Sequence, residues 1–289
     1  MMIISEQLKT NCQKSPERRA WLSNLPAMLG QLTDQWSLRV GQPFGHTGTC
    51  SWIAPAERAD GTQPVLKLAM PHMEGRDEIA GLRLWDGDGT VRLLEADDGS
   101  GAMLLERCLP GSMLKCEPEP KQDEIIASLV KRIWQLTPQR NALGEFRPIS
   151  QMIDCWCHET IEQRHLWPDA GLVSEGLRVL EELARPAPND ALLATDLHAG
   201  NVLRSQREPW LVIDPKPFIG DRSYDLVQHL INCEVRLQDD PLGLVHRVAD
   251  LAEIDAERLR LWTFGRAAAD PREDWSNTRW MDIARALAI

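Results

Sequence analysis

The stretch Ala194–Lys216 reads ATDLHAGNVLRSQREPWLVIDPK and places two aspartates, an asparagine and a histidine among apolar residues. Asp196 and Asn201 are five residues apart, and Asp214 follows thirteen residues later, at the end of the apolar run PWLVI. Such a run predicts a strand that holds the Asp214 carboxylate at its end. Taken singly, these residues are common in turns, where Asp and Asn bond nearby backbone amides. Their order and spacing indicate more, because carboxylate and amide oxygens are ligands that magnesium prefers.

A pair of charged residues upstream extends the pattern. Lys67 lies in the predicted strand VLKLA, and Glu78 lies eleven residues later in a predicted helix. Alone, each is typical of a solvated surface, but a strand-to-helix ion pair would keep the ammonium group charged and positioned for phosphates. Kinases use these parts in this order: a strand Lys, a helix Glu, an Asp with an Asn five residues later, and a further Asp. The sequence therefore predicts a phosphoryl-transfer site that uses ATP and Mg²⁺.

Composition and charge limit the class of protein. The chain has 289 residues, of which 43% are hydrophobic and 26% charged, as expected for an ordinary globular protein. Its net charge of −11 disfavours nucleic acid as a partner and favours cationic or metal-bound small molecules. We find neither an apolar run of the roughly 18 residues that a membrane span needs nor a signal-peptide pattern, so we expect a cytoplasmic protein with no membrane partner. Sequence does not distinguish a monomer from a homodimer.

The seven cysteines are odd in number and scattered, which argues against a disulfide framework in a chain of this length. The segment CWCH, residues 155–158, is the one candidate for a metal cluster, but no second ligand pair follows at zinc-site spacing. We expect its thiols to pack along a helix.

Hydrophobic periodicity divides the chain into two parts near residues 108–111. Residues 1–108 predict a nucleotide-binding N-lobe: a leading helix over 16–30 interrupted near Pro26, a hairpin turning at ADG, a short helix ending at Gly87, and two further strands. Residues 109–289 predict a mainly helical C-lobe that carries the catalytic loop and binds substrate.

The segments DLHAGNVL and LVIDPKPFIGDRSYDL resemble the catalytic region of the aminoglycoside phosphotransferases. The segment EIAGLRLWDGDGTVRLLEADDGSGAMLLERCLPG is similar to the branch of streptomycin 6-phosphotransferases and related antibiotic and hydroxyurea kinases. The resemblance extends from about Val40 to about Leu237. It implies an α+β, protein-kinase-like, two-lobed fold with a small β-rich N-lobe and a larger, mainly helical C-lobe.

The resemblance also implies a role for individual residues. Asp196 would be the catalytic base, Asn201 and Asp214 the magnesium ligands, and Lys67 with Glu78 the phosphate-positioning pair. The hinge would be Leu105, Glu106, Arg107 and Cys108, with backbone groups that meet adenine, beside an apolar wall drawn from Val65, Met103 and Leu104. Asp221 and Asp225 would anchor the catalytic loop and the following helix.

Two departures from the family pattern bear on function. Ala194 and Thr195 stand where the family typically has His-Gly, and the run GQPFGHTG, with Gly45 and Gly48, matches a glycine-rich phosphate loop poorly. These departures keep open a nucleotide-binding pseudokinase that acts as a regulator. The expected acceptor is a streptomycin-like aminoglycoside, and the alternatives are hydroxyurea, a peptide antibiotic or a metabolite.

Acidic residues in the C-terminal part indicate either a pocket for a polycationic acceptor or a solvated acidic surface. They are Asp221, Glu234, Asp239, Asp240, Asp270, Glu273 and Asp274. The sequence favours neither interpretation.

Overall fold

The computed structural model describes residues 2–44, 49–136, 145–270 and 275–288. Gly45, Gly48, Glu273 and Asp274 lie outside these ranges. The chain forms two compact units: one runs to Ser112 and includes Arg204–Ile213, and the other comprises Met113–Leu203 and the residues from Asp214 on. This division describes packing, and the nucleotide- and substrate-binding roles of the two parts stay predictions.

The first unit is built on a five-stranded antiparallel sheet in the order β1-β2-β3-β5-β4. The strands are β1 Leu38–Val40, β2 Ser51–Arg58, β3 Val65–Ala69, β4 Leu93–Asp97 and β5 Ala102–Leu105. The predicted hairpin is confirmed, since β2 pairs with β3 across the ADG turn. In the register of the sheet, Lys67 of β3 lies opposite Ile53 and Met103. The small antiparallel sheet that the pattern predicted is therefore present.

Two helices, Glu6–Cys12 and Pro16–Gln35, precede the sheet. The predicted interruption near Pro26 is wrong, because the second helix continues through Pro26 to Gln35. Proline removes one backbone hydrogen bond, but the buried face formed by Trp21, Leu25 and Leu32 packs into the same core as the sheet. Tertiary packing therefore outweighs the local cost of the proline.

A short helix, Glu78–Trp85, follows a 3₁₀ turn and buries Ile79, Leu82 and Trp85, as the spacing predicts. It ends at Asp86, which has a left-handed backbone with φ of 45°, and Gly87 continues with φ of 80°. A glycine adopts this conformation without steric cost, which explains why the helix stops there.

The second unit is mainly helical. Its longer helices have one buried apolar face, as in Ala170–Leu183, where Leu177, Leu180 and Leu183 are buried. The helices are Glu119–Gln135, Ile149–Glu162, Ala170–Leu183, Tyr224–Asn232, Glu234–Asp239, Pro241–Ala252, Ala256–Ala269 and Arg279–Leu287. Short strands β6 Ala191–Leu193 and β9 Phe218–Gly220 pair antiparallel in this unit. An antiparallel sheet in one unit and helices in the other confirm the predicted fold class.

The segment 204–213 belongs to the first unit although it follows 91 residues of the second. It contains the end of β7 Val202–Arg204 and all of β8 Trp210–Val212. The backbone of Val212 bonds Gly89 and Val91 at 2.9 and 3.0 Å. The predicted strand PWLVI is therefore present and packs beside the turn that follows the short helix.

None of the seven cysteines forms a disulfide, and Cys155 and Cys157 lie on the helix Ile149–Glu162, as expected for thiols packed along a helix. In the described ranges, no helix combines the length and the apolar character needed to cross a membrane.

Candidate active site

Lys67 and Glu78 form a buried ion pair in the first unit. The Lys67 Nζ lies 2.5 and 2.7 Å from the two Glu78 carboxylate oxygens, and the side chains are only 4% and 2% exposed. The sheet places Lys67 in the middle of β3, and Glu78 begins the short helix. Burying two charges this deeply is unfavourable unless each neutralises the other, so the pair holds the ammonium group in one position. The predicted strand-to-helix pairing is therefore formed.

The predicted hinge, Leu105 to Cys108, follows β5, with Leu105 still paired in the sheet. The Glu106 N–H donates to the Arg92 carbonyl at 2.9 Å, so this N–H is occupied. The carboxylate of Glu106 accepts from the Arg92 N–H at 3.0 Å and from the Arg207 guanidinium at 2.8 to 3.2 Å. The Cys108 thiol is buried, and burial raises its pKa to about 11. It is therefore an inert thiol at neutral pH.

Arg207, which lies in the segment 204–213, is a residue of this region that the sequence did not predict. Its guanidinium also donates to the carbonyls of Gly87 and Thr90 at 2.8 and 2.9 Å, besides the Glu106 carboxylate. Burial by itself would raise the pKa of Glu106, but the hydrogen bond from Arg207 holds it below its usual value. Arg207 thus fixes the Glu106 side chain against the turn at Gly87. A local sequence pattern could not predict the contact between Arg207 and Glu106, because the two residues are 101 positions apart.

In the second unit, Asp196 and Asn201 contact each other across one loop. The Asn201 Nδ2 donates to the Asp196 carbonyl at 3.0 Å and to its Oδ2 at 3.2 Å. Because the amide nitrogen is directed at Asp196, the Asn201 Oδ1 is the oxygen that this residue can offer a ligand. The Asp196 side chain is 30% exposed. The five-residue spacing therefore places a solvent-accessible carboxylate beside an amide whose oxygen can act as a metal ligand.

His198 bonds the backbone of this loop. Its Nδ1 accepts the Gly200 N–H at 3.1 Å, while its Nε2 lies 3.9 Å from the Asp196 Oδ1, too far for a hydrogen bond. Burial lowers the pKa of His198 to about 4, so the imidazole is neutral at physiological pH. His198 therefore bonds the backbone of the loop and does not hydrogen-bond the Asp196 carboxylate.

Asp214 follows β8, and its carboxylate is 32% exposed. The ammonium group of Lys216, two residues later, forms an ion pair with the Asp214 Oδ1. The backbone of Asp214 has φ of 54°, a left-handed conformation that is uncommon outside glycine. The Lys216 side chain is almost fully buried, so the Asp214 carboxylate lies between a fixed cation and solvent.

The two predicted anchors, Asp225 and Asp221, both have protein partners, although Asp221 contacts a helix other than the one that follows it. Asp225 is buried, and its carboxylate accepts the Thr195 N–H at 2.7 Å and the Trp134 indole N–H at 2.8 Å. Burial raises the pKa of Asp225 to about 6. Asp221 accepts the Trp262 indole N–H at 2.7 Å and pairs with Arg258. Asp225 therefore holds the residue next to Asp196, and Asp221 holds the helix Ala256–Ala269.

Most of the described acidic residues that the sequence assigns either to an acceptor pocket or to a solvated surface already have a partner. Glu234 pairs with Arg279 at 2.5 Å, and Asp270 pairs with Arg266 at 3.1 Å. The Asp240 carboxylate caps the helix Pro241–Ala252 by accepting the Gly243 N–H at 2.9 Å. Since Asp221 is also engaged, these groups serve the fold of the second unit.

The sequence similarity of this chain to known proteins agrees with its fold and its motifs. The family of aminoglycoside/hydroxyurea antibiotic resistance kinases matches residues 36–273. Streptomycin 6-kinase of Streptomyces griseus is 35% identical over 286 residues, 94% of this chain and 87% of the relative. Hydroxyurea phosphotransferase of Kitasatospora aureofaciens is 36% identical over 255 residues, 86% of this chain and 72% of the relative.

Among solved structures, choline kinase LicA from Streptococcus pneumoniae has a TM-score of 0.61 at 16% identity and covers 90% of this chain and 99% of its own. At that identity the likeness concerns the fold, which is that of the kinase-like phosphotransferases. The family match covers well over half of the chain, and both sequence relatives exceed 30% identity over most of their length. The chain therefore belongs to the aminoglycoside/hydroxyurea antibiotic resistance kinases and is a phosphotransferase.

Proposed function

We propose that the protein transfers the terminal phosphoryl group of ATP, with magnesium, to a hydroxyl group of a small cationic antibiotic of the streptomycin type. The observation that carries the proposal is the Asp196–Asn201 contact, in which the Asn201 Nδ2 lies 3.2 Å from a carboxylate that is open to solvent. This arrangement supplies a proton acceptor and a hard oxygen donor from a single loop.

Asp196 is the proposed base. The acceptor oxygen forms a bond to the terminal phosphorus as the bond between that phosphorus and the bridging oxygen breaks, and ADP leaves with the electron pair. The hydroxyl proton passes to the Asp196 carboxylate. His198, which is neutral and bonds Gly200, keeps the loop in shape and is not a competing base.

Lys67 and the hinge are the proposed nucleotide contacts. The ammonium group that Glu78 holds would bind donor phosphates, as in the kinase template. Because the Glu106 N–H is bonded to Arg92, Glu106 would contact adenine through its carbonyl oxygen, and Cys108 through its backbone. The related fold of LicA, which has been solved in complex with AMP, supports a nucleotide as ligand.

Asn201 and Asp214 are the proposed magnesium ligands. Their donor set fits a hard cation, because it consists of an amide oxygen and a carboxylate, both of which are hard oxygen ligands. When bound, magnesium neutralises charge on the phosphates.

The class of acceptor is inferred from the relatives, which are named for streptomycin and for hydroxyurea. A cationic acceptor fits the net charge of −11. We expect higher ionic strength to raise the Michaelis constant for the acceptor much more than that for ATP, because screening weakens attraction between the protein and a cation. A Michaelis constant for the acceptor that stays flat, or a neutral best substrate such as hydroxyurea, would contradict the cationic class and leave the kinase intact.

The deciding experiment is an ADP-release screen of the purified protein against streptomycin-type aminoglycosides, tuberactinomycin-type peptides, hydroxyurea and amino alcohols. The phosphorylated product is then identified by mass spectrometry. We expect turnover with an aminoglycoside only when ATP and magnesium are both present. Nucleotide binding without turnover on any acceptor would favour the pseudokinase alternative.

A further inference from the structure

We propose that Thr195 is a positioning residue of the phosphoryl-transfer site, whose hydroxyl ties the loop of Asp196 to the segment of Asp214. The inference rests on the proposed roles of those two aspartates and deepens them.

Two hydrogen bonds join the two segments inside the second unit. The Thr195 Oγ1 donates to the Lys216 carbonyl at 2.5 Å, and the Lys216 N–H donates to the Ala194 carbonyl at 2.7 Å. The Thr195 N–H is held by the buried Asp225 at 2.7 Å. Thr195 is only 5% exposed, so water cannot readily replace its hydroxyl if it is removed. Thr195 is therefore bonded both to Lys216, which is two residues from Asp214, and to the buried Asp225.

The backbone conformation of Thr195 indicates that its hydroxyl group has a role of its own, beyond the path of the chain. Its φ is 46°, a left-handed conformation that is rare for a β-branched residue. A glycine would adopt the same path without strain. A strained threonine nevertheless occupies this position. Glycine could not form the hydrogen bond from Oγ1 to the Lys216 carbonyl. Strain of this kind is often found at functional sites.

Lys216 connects this bond to Asp214. Its ammonium group pairs with the Asp214 carboxylate, and its own backbone is the partner of Ala194 and Thr195. Fixing the Lys216 backbone therefore restricts where its buried side chain can place the cation that pairs with Asp214. Loss of the Thr195 hydroxyl would leave the Lys216 carbonyl without that donor and would loosen Asp214 relative to Asp196. Phosphoryl transfer depends on such alignment, and a displacement of about 1 Å can cost on the order of 100-fold in rate.

Three substitutions separate the hydroxyl from the backbone. Thr195→Val keeps the branched shape and removes the hydroxyl, Thr195→Ser keeps the hydroxyl, and Thr195→Gly removes both the hydroxyl and the strain. Thr160→Val is the matched control, because the buried Thr160 Oγ1 also donates to a backbone carbonyl, that of Ala269 at 2.8 Å. For each variant we would measure kcat, both Michaelis constants, the melting temperature, and the affinity for ADP by calorimetry with and without magnesium.

We expect Thr195→Val and Thr195→Gly to lower kcat by about 10- to 100-fold with little change in the Michaelis constant for the acceptor. Thr195→Ser should stay close to wild type. Thr195→Gly should melt at or above the temperature of Thr195→Val, because strain is relieved, and still turn over slowly. Thr160→Val should lower the melting temperature and leave kcat unchanged. A loss of kcat at Thr195 that does not follow the melting temperature would show that Thr195 positions the site. A purely structural role would make kcat fall with stability.

A Thr195→Val protein with the kcat of wild type would overturn the inference while leaving the proposed function in place. So would losses of kcat that follow the melting temperature across all four variants. If the wild type turns over no acceptor, the proposed function fails separately, and calorimetry decides the inference. In that case Thr195→Val should weaken magnesium-dependent binding of ADP and spare metal-free binding, and an unchanged magnesium dependence would refute it.

Discussion

Two acidic clusters in the helical unit use the same residue types in opposite ways. In the first cluster, Asp123 is fully buried, and its carboxylate accepts from His229 at 2.9 Å, from Arg236 at 2.7 and 3.0 Å and from Arg247 at 2.9 Å. In the second, Asp196 and Asp214 keep about a third of their side chains exposed. A carboxylate saturated by the protein stabilises the fold, whereas one that faces solvent can bind a ligand.

Protonation behaviour follows from this difference. Burial by itself would raise the pKa of Asp123, but hydrogen bonds from His229, Arg236 and Arg247 hold it well below its usual range. Burial would likewise lower the pKa of His229, yet the Asp123 carboxylate and Cys233 raise it to about 9. Asp123, His229 and Cys233 lie close enough to ligate a metal. Both oxygens of Asp123, however, accept from guanidinium groups, whose charge would repel a cation.

The largest expected effect is on turnover, at the solvent-facing cluster. We expect Asp196→Asn to lower kcat on the order of 10² to 10⁴-fold, because it removes the proton acceptor and keeps the shape. The melting temperature and the affinity for ADP should change little. Asp250→Asn, an exposed substitution on the helix Pro241–Ala252, is the control and should retain full turnover. Near-normal turnover of Asp196→Asn on an identified acceptor would remove Asp196 from its proposed role.

At the saturated cluster the effect should fall on folding. Asp123→Ala leaves His229 and Arg236 without their shared carboxylate, and breaking a buried pair in this way costs about 3 to 5 kcal/mol. Chemical denaturation measures the loss. Protein that remains folded should keep its Michaelis constants. A loss of turnover at undiminished stability would show that the cluster belongs to the site, and the comparison would break.

The same cluster predicts a dependence of stability on pH. His229 has a folded pKa of about 9, above its value in an unfolded chain, so the stability it contributes is full below about pH 6.5 and is lost as pH rises through about 9. The groups that face it are Asp123 and Cys233, with Arg236 and Arg247 bonded to the same carboxylate. Denaturation curves from pH 6 to 10 should show this loss, and His229→Gln should flatten it. Equal slopes in the two proteins would contradict the assignment.

The smallest effect is expected for an exposed ion pair. Arg178 lies within 2.6 Å of Glu175 and 2.8 Å of Glu182 on the surface of the helix Ala170–Leu183. Solvent screens such pairs, so Arg178→Ala should leave the free energy of unfolding nearly unchanged. The measurement calibrates the one at Asp123, because both remove one partner of an acid–base contact. A comparable loss at both sites would mean that burial does not set the difference.

Much of the fold could be predicted because its signals are local. The ADG turn between two β-like runs predicted the pairing of β2 with β3, and apolar spacing predicted the helix that begins at Glu78. Pro26 shows the limit of such reasoning. A proline is a local signal to end a helix, but the buried face on both sides of it is a property of the packed core.

The sequence by itself determined which chemical groups the site has and in what order. The five-residue spacing of Asp196 and Asn201 acts within a single loop, and the contact between Lys67 and Glu78 needs only one strand and the next helix. What it could not determine is which charged groups are neutralised by distant partners. Asp123 bonds Arg247, which is 124 residues away in sequence, and Glu106 bonds Arg207, which is 101 residues away. Only the tertiary structure decides these pairings, because burial and distance, and not residue type, determine whether a charge stabilises the fold or faces a ligand.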